Sequence, residues 1–228
     1  MFRERLKNVY TKLGMQYPDY LDKTIITKIE VPFKQPQRAI SPRMDGLQSS
    51  ADDWFYAGTM SMLDGPVYRE NKNVDKIEFG YDNENIYFRM HINKNSSENS
   101  IFERINQFYI YTRNATSPSN RANIRLISKT DNLYPILSEK FEHEFTLTLV
   151  KDYLYPPRLS TVFHNNLWTL DNPDSIKVVY NDVIDVKLPF DKIGINTGEK
   201  VEFFMANTDS GVKNTSIPQD VLLSVTRM

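Results

Sequence analysis

Tyr87, Arg89 and His91 occupy alternate positions of residues 86–92. In an extended strand that spacing puts a phenol, a guanidinium and an imidazole on one face. Such a set can cover the apolar face of a sugar ring and bind its hydroxyls. Tyr109 and Tyr111 repeat the spacing further on and are expected beside them, with Trp168 as another flat ring. The same side chains could equally form cross-strand pairs that only stabilise a sheet. Trp54, Phe55 and Tyr56 make a third aromatic group. Trp54 could cover a sugar ring in the same way, but the usual burial of Trp favours core packing or a plugged sandwich edge.

Catalytic patterns are missing. The sequence has no Gly-rich phosphate loop, no HExxH and no GxSxG. His91, His143 and His164 are scattered, none four residues from another. With no cysteine in the chain, disulfides, thiolate zinc sites and cysteine nucleophiles are excluded together. We therefore expect no active site in this chain. The acid-rich run Asp45–Asp53 makes Asp52 and Asp53 the candidates for a calcium ion, though it lacks the DxDxDG spacing, and a plain turn explains it as well. No other cofactor is expected. A haem would need a Met such as Met60 or Met90 beside His91, and residues 90 and 91 point to opposite faces of a strand.

The elements that must position these residues follow from the hydrophobic period. Phe2, Leu6, Val9, Tyr10 and Leu13 fall at helical spacing, with Gly14 as the stop. Residues 15–44 are punctuated by Pro18, Pro32, Pro36 and Pro42, with one candidate strand at 25–31. Beyond Asp45 the period becomes two. Ile77, Phe79 and Tyr81, then Ile86, Phe88, Met90 and Ile92, flank the turn formers Asp82–Asn85 and predict a hairpin. Further strands are expected around Phe108 and Ile110, at 145–149, 176–180, 184–190, 201–205 and 221–225. Eight or nine short strands with one-face-apolar alternation predict an all-β, antiparallel β-sandwich of jelly-roll or immunoglobulin-like type behind a short N-terminal helix.

With 28 basic and 29 acidic side chains the net charge is −1, so the electrostatic footprint of a nucleic-acid binder is missing. No run approaches the ~18 apolar residues of a membrane span. The opening Met1-Phe2-Arg3-Glu4-Arg5 lacks the apolar stretch of a secretory signal, which favours the cytoplasm over secretion.

Asp45-Gly46, Trp54, Ala57-Gly58 and the hairpin IEFGYDNENIYFRM together resemble the opening strands of family 9 carbohydrate-binding modules and related DOMON-like sandwiches. Phe79, Gly80, Tyr81, Asp82, Asn85, Tyr87 and Arg89 carry that likeness. The segment DVIDVKLPFDKIGINTGEKVEFFM is similar to a later part of the same group, through Leu188, Pro189, Phe190, Ile193, Gly194, Gly198 and Phe203. The likeness covers most of 40–228 and is poorest over 95–170. It implies that Asp45, Gly46, Trp54, Gly80, Pro189 and Phe190 are structural. Residues 2–21 and the ending GVKNTSIPQDVLLSV resemble the junction and C-terminal domain of some family 57 glycoside hydrolases. The resemblance thus implies a helical lead-in and connector from an upstream domain (1–44), then a carbohydrate-binding-module-like sandwich (45–228). It further implies a non-catalytic accessory role for an attached or associated hydrolase, with an α-glucan or other neutral polysaccharide as partner. The alternative is a structural domain that packs on a catalytic partner and binds no small ligand.

Overall fold

The computed structural model describes residues 2–22, 33–61, 74–92, 105–123, 139–150, 153–164, 167–171, 175–209, 215–216 and 222–228. The chain divides into two compact units, Met1–Glu30 and Val31–Met228. In the first, helix α1 (Phe2–Lys12) ends where the periodicity ends. Gly14 takes a left-handed conformation there. The amide of Met15 donates to the carbonyl of Tyr10 and that of Gly14 to Thr11, a Schellman closure of the last turn. Lys7 then holds the outgoing chain through Asp22 at 2.6 Å.

The second unit is built of strands. In chain order they are β1 (Phe33–Lys34), β2 (Gly58–Ser61), β3 (Val74–Tyr81), β4 (Asn85–Ile92), β5 (Ile105–Asn114), β6 (Ala122–Asn123), β7 (Lys140–Phe141) and β8 (His143–Val150). There follow β9 (Tyr153–Leu154), β10 (Arg158–His164), β11 (Leu167–Asp171), β12 (Lys177–Tyr180), β13 (Val183–Pro189), β14 (Lys200–Asp209), β15 (Thr215–Ser216) and β16 (Leu223–Thr226). One sheet runs β1-β2-β3-β4-β13-β12, and the other β11-β10-β8-β5-β14-β15, with β9 on β8 and β16 on β14. Strands β6 and β7 form a separate ribbon. All the pairings in both sheets are antiparallel.

The alternating apolar residues of both sheets meet in one core. Phe203 of β14 receives Phe79 and Phe88 edge-on, at centroid distances of 5.2 and 5.1 Å. These contacts cross from one sheet to the other, so the expected antiparallel sandwich is what forms. The hairpin turn closes as its sequence predicts. Asp82 Oδ1 accepts the amides of Glu84 and Asn85 at 2.8 and 2.7 Å, an Asx turn. At the far end of β13, Pro189 pairs with Asn85 and Phe190 enters the core, where the Arg227 guanidinium lies 5.5 Å over its ring.

Two expectations shift. The sandwich unit begins at Val31 rather than Asp45. Phe33 and Lys34 pair with Met60 and Thr59, Gln37 donates to Tyr56, and Ile40 donates to Tyr81. These bonds tie 33–44 to the sheet although that stretch has no period of its own. The second difference is β10 and β11, a hairpin within the poorly matched stretch, which adds the edge of the larger sheet. The candidate strand at 25–31 lies outside the described residues.

Candidate functional site

Tyr87, Arg89 and His91 do share the outer face of the six-stranded sheet, opposite the core. That face is covered. Residues 35–57 cross it as a strap, and Ile40, Trp54 and Ala57 pack with Tyr87 into a second small core. Arg89 and its neighbour Asp185 on β13 have no exposed surface at all. The guanidinium grips that carboxylate with two bonds, Nε to Oδ1 at 2.7 Å and Nη2 to Oδ2 at 2.9 Å. It also donates to Ser50 Oγ at 2.8 Å and lies 4.8 Å over the Trp54 ring. Asp185 in turn accepts the Gly46 amide at 2.9 Å, so the pair clasps the strap to the sheet.

The Asp45–Gly46 turn is the point of attachment. Gly46 has φ of 69°, and a Cβ there would lie 2.9 Å from the Asn181 backbone nitrogen. Only glycine permits both the conformation and the approach. Asp45 accepts the Leu47 amide and the Ser50 hydroxyl, which hold its carboxyl below the usual carboxylate range. Gly80 serves the same strap: a Cβ on it would come within 2.3 Å of Ile40 Cδ1. The motif residues Asp45, Gly46, Trp54 and Gly80 thus fasten or accommodate the cover.

This overturns the open sugar-gripping face expected around Tyr87 and Arg89. Tyr87 is buried and donates its hydroxyl to Asp82 at 2.5 Å. Burial and that carboxylate push the phenol well above its ordinary pKa. His91 is partly exposed, but Nε2 lies 2.8 Å from Glu78 Oε2, whose other oxygen takes Lys76. Burial opposes ionisation of Glu78, and the bonds from His91 and Lys76 outweigh it, leaving its carboxyl below the usual range. Asp53 is engaged by Arg43 at 3.0 Å, while Asp52 is exposed. Among the described residues no three His, Cys, Asp or Glu side chains gather to hold a metal ion.

Nor do Tyr109 and Tyr111 lie beside Tyr87. They belong to β5 in the other sheet and face away from the core on the opposite side of the sandwich. The two rings stack at 6.0 Å. Tyr111 is fully buried against Phe141 and Phe204, whereas Tyr109 is half-buried and donates to Gln107 Oε1 at 2.9 Å. Trp168 is opposite Val162 in the β10–β11 pair, and its side chain lies outside the described residues.

The open aromatic surface is elsewhere on that outer face. Leu154 packs on the core, so its neighbours Tyr153 and Tyr155 face outward. They are 60% and 47% exposed, with rings perpendicular at 4.9 Å. Tyr155 donates its amide to Thr148, and Thr148 is level with Gln107 on β5. Thr146 and Tyr109 form the next cross-strand pair. Two accessible rings therefore adjoin a patch of hydroxyls and an amide. The signal was present in the sequence as Tyr153-Leu154-Tyr155-Pro156-Pro157: two aromatics around one apolar residue, then two prolines.

The fold is that of an all-β antiparallel sandwich in which, among the described residues, one outer face is strapped over Tyr87 and Arg89 and the other is partly open. No family model, curated protein or solved structure matches the chain. No helix among the described residues is long and apolar enough to cross a membrane.

Proposed function

We propose that this sandwich is a non-catalytic carbohydrate-binding module, an accessory domain that holds a polysaccharide for a glycoside hydrolase. The observation that carries the reading is the exposed Tyr153–Tyr155 pair, beside Thr148, Gln107 and Tyr109 on the outer face of the larger sheet. Exposed rings offer sugar rings an apolar face, and the neighbouring hydroxyls and amide supply directional bonds. The resemblance to family 9 modules and to the ends of family 57 hydrolases supports an α-glucan as the first ligand to try. Affinity electrophoresis and calorimetry against starch, glycogen and maltooligosaccharides, extended to other polysaccharides, test the reading. Binding should fall at least tenfold in Tyr153→Ala and Tyr155→Ala while the melting temperature holds. Silence across the whole panel refutes it.

A second reading, a structural domain that packs on a catalytic partner, draws on Phe55 and Leu170, which are 68% and 65% exposed. On that reading Phe55→Ser and Leu170→Ser would weaken association with the hydrolase, and the tyrosine variants would change nothing.

A further inference from the structure

Beside the tyrosine pair stands a cation that no described carboxylate neutralises. Arg158 opens β10 level with Thr146 and is exposed, and it makes no ion pair among the described residues. Tyr155 is bonded to Thr148, two residues along the same strand. The two side chains thus leave one face about 7 Å apart, the repeat of a strand over two residues. Pro156 and Pro157 fill the gap between them. Proline fixes φ and holds the preceding residue extended, so the ring and the guanidinium are presented with little backbone freedom left to lose.

Of the described cations on this face, Arg113 and Lys200 have carboxylate partners and Arg158 has none. Arg113 on β5 is already bonded to Glu202 on β14 at 2.8 Å and to Glu139 at 2.6 Å. Glu144 is buried and has partners of its own, including the Thr146 hydroxyl. A guanidinium is charged at every working pH and meets a carboxylate with two parallel bonds.

From this geometry we infer that the open face takes an acidic polysaccharide, one sugar ring against the tyrosines and a uronate carboxylate on Arg158. The inference rests on the polysaccharide reading above and alters its ligand class. Neither a neutral glucan nor a polymer without sugar rings would use all three side chains. Single-stranded nucleic acid also combines rings with negative charge, so it belongs among the probes.

The test compares polygalacturonate with its fully methyl-esterified form, which keeps the rings and removes the charge. Starch and single-stranded DNA complete the set, with the full chain titrated at 0.05 and 0.5 M NaCl. Polygalacturonate should bind about two- to fivefold more tightly than the ester, the usual scale of an exposed ion pair, and salt should erase much of the difference. Arg158→Gln should remove the preference and Arg158→Lys restore part of it, with the melting temperature unchanged in both. Equal affinity for acid and ester, or no effect of Arg158→Gln, overturns the inference while the module reading stands. Stronger binding of DNA than of any polysaccharide overturns it too, and no binding of any polysaccharide removes both.

Discussion

Removing either member of the Arg89–Asp185 pair should destabilise the sandwich more than any other single polar change on the strapped face. Both groups are wholly buried, and each has a second bond, Arg89 to Ser50 and Asp185 to Gly46. Asp185→Ala leaves a guanidinium under Trp54 with Ser50 beside it and the Asp45 carboxylate no nearer than 4.0 Å. Stranding a buried charge in this way costs about 3–5 kcal/mol. Set against a typical stability of about 5–15 kcal/mol, that is about a fifth or more of the total. In urea, at about 2–3 kcal/mol per molar, the midpoint should drop by about 1–2 M with the slope unchanged. The double variant Arg89→Met/Asp185→Leu strands no charge and loses mainly the acceptor of the Gly46 amide, at about 1–3 kcal/mol. It should therefore be more stable than either single variant. Single variants within about 0.5 kcal/mol of the parent, as at a solvated surface, or costs that simply add in the double, would refute the clasp.

Gly80→Ala should cost about 1–3 kcal/mol by pushing its new methyl into Ile40, and Gly80→Ala/Ile40→Ala should recover part of the lost melting temperature. Asp82 is partly buried, which favours its neutral form. The Tyr87 hydroxyl and the Glu84 and Asn85 amides outweigh that and hold the carboxyl below its ordinary value. A lowered folded pKa contributes stability that is present above the unfolded value of about 3.9 and lost as pH falls through the folded one. The parent should accordingly exceed Asp82→Asn in stability at pH 7, and the two should converge in denaturation curves taken between pH 4 and pH 2. Tyr153→Ala and Tyr155→Ala should shift thermal stability by no more than about 0.5 kcal/mol, since both rings are exposed.

The β3–β4 hairpin was legible because alternation, turn formers and length agree: Ile77–Tyr81 and Ile86–Ile92 could do little else. The strand leading into Phe190 was legible from the alternation of Ile184, Val186 and Leu188. The cover over Tyr87 and Arg89 was not. Alternation says only that the faces of a strand differ, and polar residues on one of them suggested water. Here that face is occupied by a strap whose own residues follow no period, and whose fixing point, Asp185, lies 96 residues from Arg89. A charge between Ile184 and Val186 was the available hint of a buried partner. Alternation with Phe108 and Ile110 does put Tyr109 and Tyr111 on the outward face of a strand. Their separation from Tyr87 depends on which sheet β5 joins, a long-range choice that local pattern does not encode. Tyr153 opens a two-residue strand too short to show a period, and Tyr155 lies just beyond it.

The clasp also sets an order of events during synthesis. Gly46 and Asp185 are 139 residues apart, and Arg89 lies between them in the chain. At about 5–20 residues per second, Arg89 is made some 5–20 s before the carboxylate that neutralises it exists. Until β13 is made and pairs with β4, the strap lacks its bond from Gly46 to Asp185, and Trp54 and Tyr87 lack part of the fastening that keeps them dry. A nascent chain, or any fragment ending before residue 185, therefore carries the Trp54–Tyr87 patch with Arg89 short of its bidentate partner. The N-terminal half of this sandwich cannot be finished early, and its last lock arrives from near the other end of the chain.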